Sequence, residues 1–188
     1  SGYDFRIFTN FKEMHEALAR REEEYGLSRM VAGYAWPWIS KGDKSDSAPY
    51  DFELDGVSMR WNRTVESWVH SPTAFQEVGS IHTIQGYDLN YAGVIIGSDV
   101  ELDESGKYRV NKNNYHDKRG KANNKVANEK TTPERLRRYV ANIYKVLLTR
   151  GIRGTYIYAE PSGLAERFHQ VQQILINREQ AAHDKPQH

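Results

Sequence analysis

The sequence predicts an α/β domain in three layers, with a mainly parallel central sheet, a β-hairpin and a basic loop insertion. Strand-like runs alternate with helical runs along the chain, the order that places helices on the faces of a sheet. Several strand-like runs are apolar without alternation, as strands buried on both faces are. One pair of short alternating runs flanks Asp55-Gly56, a two-residue hairpin signal.

Arg6-Ile7-Phe8 reads as the first strand. Thr9 or Asn10 can cap the helix that follows, which carries Phe11, Met14 and Leu18 on one face and stops at Gly26. Residues 29–36 read as a buried strand and 41–49 as a polar loop. Residues 50–54 and 57–61 are the two arms of the hairpin. Residues 91–97 read as another buried strand, and a small β excursion over 100–110 turns at Ser105-Gly106. Thr132-Pro133 is a cap followed by proline at the first helical position. The helix behind it stripes Leu136, Val140, Ile143 and Leu147 on one side and ends at Thr149-Arg150-Gly151. Residues 155–159 form a strand. Ser162 opens a last helix with Leu164, Phe168, Val171 and Leu175 directed inward, and 183–188 read as a frayed tail.

A chain of 188 residues is read as one domain, 1–188, with the basic insertion at about 103–131 inside it. That length buries a core without a covalent staple. The absence of cysteine excludes disulfides, thiolate-bound zinc and thiol nucleophiles. The 7 histidines show no metal-ligand spacing, so no metal site is expected. No apolar run approaches the roughly 20 residues of a membrane span, and no signal-peptide pattern opens the chain. No membrane partner and a cytoplasmic location are therefore expected. Net charge is only +1. Within 107–130, however, Lys107, Arg109, Lys112, Lys118, Arg119, Lys121, Lys125 and Lys130 face only Asp117 and Glu129. Such a run marks either a phosphate-facing surface or a solvated loop.

Two segments carry the residue types that chemistry needs. The first runs Ser80-Ile81-His82-Thr83-Ile84-Gln85-Gly86-Tyr87-Asp88 into the apolar run ending at Gly97. Gly86 lets a backbone come close to a ligand, and an acid near such a turn can accept hydrogen bonds from a ribose. The plain alternative is an ordinary turn. The second, 139–160, is a helix delivering Thr149, Arg150 and then Arg153 to the start of a strand. A positioned guanidinium stabilises charge developing on a γ-phosphoryl group, and does so better than lysine because it is planar, permanently charged and bidentate. The plain alternative is that Arg150 caps the last carbonyls of its helix.

Ser80 to Asp88 resembles motif V of superfamily 1 helicases, especially the RecD-like form. The helix ending Val146-Leu147-Leu148-Thr149-Arg150-Gly151, followed by Gly154-Thr155-Tyr156-Ile157-Tyr158, resembles motif VI. Both, with Val31-Ala32-Gly33-Tyr34-Ala35-Trp36-Pro37-Trp38, are similar to the Schlafen group 3-type helicase domain family. The resemblance implies a RecA-like P-loop NTPase fold, specifically the second RecA-like half of an ATP-dependent nucleic-acid helicase. It implies that Arg150 reaches the γ-phosphate. Gln85, Gly86, Asp88 and Thr149 are then expected to border the nucleotide; Arg153 has no firm counterpart in the motif and is kept as a candidate phosphate contact. The same resemblance implies that Ser80 and His82 would touch the nucleic-acid backbone. Here the acid of motif V is Asp88 rather than Glu, shorter by about one methylene.

No Gly-x-x-x-x-Gly-Lys-Ser/Thr occurs, so nothing in this chain cradles the β- and γ-phosphates. ATP and its Mg²⁺ ligands are expected to need an upstream RecA-like domain, and this chain alone is expected to be inactive. Asp99 follows an apolar strand but lies after motif V, so it is read as structural. DNA or RNA is the expected partner, met by Lys118, Arg119, Lys121 and the pair Trp36 and Trp38, whose rings can stack on bases. Two other readings stand beside this one: a nucleotide-independent nucleic-acid-binding module centred on 107–130, and a degenerate RecA-like interaction scaffold.

Overall fold

Asn10 starts the first helix as the pattern predicts: its side-chain oxygen accepts from the Glu13 amide, and Gly26 ends the helix at φ 67°. The computed structural model describes residues 2–117 and 132–183, with side chains to 178. In chain order it contains β1 (Asp4–Phe8), α1 (Phe11–Tyr25), β2 (Ser28–Ala32), β3 (Phe52–Leu54), β4 (Val57–Trp61), β5 (Glu77–Gly79), α2 (Ile81–Ile84), β6 (Leu89–Ile96), β7 (Val100–Leu102), β8 (Tyr108–Val110), α3 (Pro133–Leu148), β9 (Gly151–Ala159) and α4 (Ser162–His183). No helix among the described residues is long and apolar enough to cross a membrane.

Seven strands form one sheet in the order β1-β9-β6-β2-β5-β4-β3, and β7 and β8 pair separately. Every neighbour pair in the large sheet is parallel except β3 with β4. The Asp55-Gly56 turn has both residues at positive φ, 48° and 77°, which matches the twist of the paired strands. All five residues of β2 are buried, as are seven of eight in β6. These are the uninterrupted runs that predicted a sheet covered on both faces.

The two faces carry separate cores. Phe11, Met14 and Leu18 of α1 pack on Met30, Val78, Ile95 and Tyr156. Leu136, Val140, Ile143 and Leu147 of α3 pack on Val31, Val94, Ile96 and Ile157 from the other side. Alternate residues of β6 therefore serve opposite cores, and each fully buried aliphatic side chain contributes about 1.5–3 kcal/mol. The result is the three-layer α/β/α architecture with a mostly parallel sheet, the RecA-like arrangement.

Three expectations are corrected. The strand expected over 29–36 stops at Ala32, because the chain turns there: the Ala35 amide donates to the Gly33 carbonyl at 2.8 Å. The strand expected over 155–159 begins four residues earlier, at Gly151. In α4, Leu164 is buried and Phe168 packs on the core, but Val171 and Leu175 are 39% and 52% exposed. Their spacing continues the apolar stripe, yet those turns of the helix lack a covering layer among the described residues.

Candidate nucleotide-facing edge

α3 runs toward the edge of the sheet where the parallel strands begin. Its last turn is closed by Thr149, whose hydroxyl donates to the Lys145 and Val146 carbonyls at 3.1 and 3.0 Å. The next residue is Arg150. Its Nε donates to the Val146 carbonyl at 3.3 Å, the capping contact of the plain reading. Its Nη1 extends beyond the helix to Asp88 Oδ1 at 3.7 Å. The two side chains are 25% and 65% exposed, so this pair contributes less than about 1 kcal/mol. An incoming anion could exchange with Asp88 at small cost.

β6 arrives at the same edge. The Leu89 amide donates to the Arg150 carbonyl at 2.8 Å, which ties the amino ends of β6 and β9 together. Directly before Leu89 lies the bend Gln85-Gly86-Tyr87-Asp88. Gly86 sits at φ 86°, in a conformation that disfavours any residue with a Cβ. Gln85, Gly86 and Asp88 are exposed. The guanidinium of Arg150 and the Gln-Gly bend therefore share one edge, with hydrogen-bond donors and an acceptor facing outward. That set can hold a phosphate through Arg150 and a sugar hydroxyl through Asp88.

Arg153 is on this edge but turned toward α1. Its Nε lies 3.4 Å from Asn90 Oδ1 and its guanidinium sits 4.6 Å over the Tyr25 ring. Asn90 in turn donates to the Tyr25 and Gly26 carbonyls at 2.8 and 3.1 Å. Neither Asn90 nor Tyr25 was singled out from the sequence. The available signal was a lone amide within the apolar run of β6, where the pairing with β9 also shifts register.

The residues expected along a nucleic-acid track fall in several places. His82 is exposed on α2, 6.0 Å from the Tyr34 ring. Ser80 is only 1% exposed, and its amide is held by Thr83 Oγ1 at 2.9 Å, so it supports α2 rather than offering a surface hydroxyl. Trp36 and Trp38 follow β2 at its carboxyl end, the opposite edge from Arg150. Trp36 stacks on Phe52 at 4.3 Å and 16°, Trp38 lies against Trp61, and both are half-buried. The structure thus does not bring the two tryptophans to the Arg150 edge. Lys118, Arg119 and Lys121 lie outside the described residues.

Asp99 also lies beyond the carboxyl ends. It is fully buried, and the Tyr144 hydroxyl of α3 donates to its Oδ1 at 2.8 Å. Burial pushes its carboxyl up to about 7. A folded-state value above the unfolded one means that the group favours folding at low pH. That contribution is complete below about pH 4 and is lost as pH rises through about 7. Urea unfolding across that window is expected to show stability falling by a few kcal/mol, because each tenfold difference in proton affinity between the folded and unfolded chain corresponds to about 1.4 kcal/mol. Asp99→Asn is expected to abolish the slope. An unchanged slope in the variant would assign the pH dependence elsewhere. Among the described residues no group of three His, Asp or Glu assembles.

The α/β/α domain with its mostly parallel sheet is the RecA-like arrangement, and Arg150 and the Gln-Gly bend lie together on its amino edge. The chain belongs to the Schlafen group 3, DNA/RNA helicase domain family, whose model matches residues 1–161. It is also 34% identical over 172 residues to uncharacterized protein YPL245W of Saccharomyces cerevisiae (strain ATCC 204508 / S288c). That match covers 88% of this chain and 36% of the relative, so the chain spans about a third of the relative's length. No solved structure matches the chain.

Proposed function

We propose that this chain is the second RecA-like half of an ATP-driven nucleic-acid helicase or translocase. One observation supports it above the others: Arg150 projects from the end of α3 onto the edge shared with the Gln85–Asp88 bend, its Nε on the Val146 carbonyl and its Nη1 reaching the exposed Asp88 carboxylate. Arg150 is the residue that would meet the γ-phosphate of ATP, and Asp88 and Gln85 would border the sugar and the adjoining phosphates. Bound Mg²⁺ would supply charge neutralisation at the β- and γ-phosphates, through ligands on a first RecA-like domain. This chain's part is positioning. α3 fixes the guanidinium, Thr149 closes the helix behind it, and the β6–β9 tie keeps the bend in register with it.

ATP turnover by a full-length protein carrying Arg150→Ala, beside the unaltered protein, tests the assignment. Turnover equal to wild type in the variant overturns it. The isolated chain is expected to show no ATPase activity, since it lacks a phosphate loop.

A further inference from the structure

The inner face of α3 is accounted for by the core, but its outer face carries a pattern of its own. Arg135, Arg138, Asn142, Lys145 and Thr149 are spaced 3, 4, 3 and 4 residues apart, which places them on one face of a helix. The last four are exposed and Arg135 is half-buried. From Arg135 to Thr149 this stripe is about 21 Å long at 1.5 Å per residue. It has a cation or a hydrogen-bonding side chain at every turn and no acid. Arg138 and Lys145 make no ion pair among the described residues.

At its amino-terminal end the stripe opens into a groove of about 900 Å³ between α3 and the β7–β8 hairpin. There the Arg137 guanidinium lies 5.4 Å over the ring of Tyr108, which is 42% exposed. Among the described residues, Arg135, Arg137, Arg138 and Glu134 are the charged side chains that line the groove. At the other end the same helix delivers Arg150.

We propose that the outer face of α3 is a rail for the phosphodiester backbone of single-stranded nucleic acid, entered at the Tyr108–Arg137 groove and running toward the Arg150 edge. The inference rests on the reading of the chain as a nucleic-acid motor half. Cations interspersed with hydrogen-bonding side chains, one such group at each turn, suit a repeating anion, and an aromatic–guanidinium pair at the mouth suits a base. The arrangement also has a mechanical consequence. A strand seated along the rail and a phosphate met by Arg150 would both be held by one helix, so movement of either is transmitted to the other without an intervening loop.

The test is fluorescence anisotropy of labelled oligothymidylate and oligouridylate with this chain, titrated in salt. Arg138→Ala/Lys145→Ala is expected to weaken binding about tenfold at low salt. It is expected to reduce the log–log salt slope by about 1.4, from about 0.7 per lost phosphate contact on a single strand. Tyr108→Ala is expected to weaken binding about tenfold while leaving the slope in place, since stacking releases no counterion. Lys12→Ala, an exposed cation on α1 across the sheet, is expected to change nothing. All the replaced side chains are exposed, so circular dichroism should remain that of wild type. Wild-type binding matched by the double variant, in affinity and slope, overturns the rail but leaves the motor reading standing. No binding of either oligonucleotide by the unaltered chain overturns the rail and removes the nucleic-acid half of the motor reading. ATP turnover of the Arg150 variant reports on the nucleotide half independently.

Discussion

Arg150→Ala is expected to lower kcat of the full-length protein by about 10³-fold or more, with KM for ATP little changed. A guanidinium meeting a transferring phosphoryl group acts mainly in the transition state, and such arginines contribute about 10³–10⁵ in rate. A thousandfold loss corresponds to about 4 kcal/mol of transition-state stabilisation. Destabilisation of the fold cannot imitate this. The side chain's local contacts are one hydrogen bond to Val146 and a screened pair with Asp88, together worth about 1 kcal/mol. Arg150→Lys is expected to recover little, because an ammonium group cannot offer the bidentate fork. Steady-state kinetics of both variants, with thermal unfolding as the control, separate these effects. A rise in KM at unchanged kcat would demote Arg150 to a ground-state contact.

The largest effect on stability is expected at Trp68. Its ring is fully buried, and its Nε1 donates to Glu77 Oε2 at 3.0 Å. Glu77 is itself 1% exposed and also receives the Arg63 amide at 2.9 Å and the Thr73 hydroxyl at 2.6 Å, with the Arg63 guanidinium at 3.4 Å. Trp68→Ala removes the ring's packing against Gly79 and one of the donors that make the buried carboxylate tolerable. Large-to-small changes of this kind cost about 3–5 kcal/mol. Urea denaturation is expected to show a lower midpoint at unchanged m. A midpoint shift equivalent to less than about 1 kcal/mol would mean that this side of the sheet does not depend on the Trp68–Glu77 contact.

The same Glu77 illustrates what the sequence concealed. β5 is three residues long and begins with a charged side chain, so apolar periodicity cannot reveal it. The strand exists because Trp68, Thr73 and Arg63, all brought by the preceding segment, satisfy the carboxylate inside. The periodic elements were plain by contrast. The Leu136–Leu147 stripe, the Asp55-Gly56 hairpin and the apolar run of β6 each follow from local rules and lie where those rules put them. The candidate site divides along the same line. Arg150 and the Gln85–Asp88 bend each sit at the end of a periodic element, so their common edge follows from strand order. Trp36 and Trp38 follow β2 at its far end, and their place was hidden because β2 stops at Ala32. Asn90 and Tyr25 meet Arg153 through contacts more than 60 residues apart in sequence, beyond any local pattern. In α4 the apolar spacing persists past the core, so a periodicity argument alone could not tell packed turns from exposed ones.

The central claim is that Arg150 meets the γ-phosphate across a cleft. A structure of the full-length protein with Mg²⁺ and a transition-state analogue of ATP tests it most directly. The account predicts the Arg150 guanidinium released from Asp88 and within hydrogen-bond distance of the γ-phosphate mimic, with the Gln85–Asp88 bend lining the same nucleotide. A bound nucleotide with Arg150 still on Asp88 and turned to solvent would contradict it.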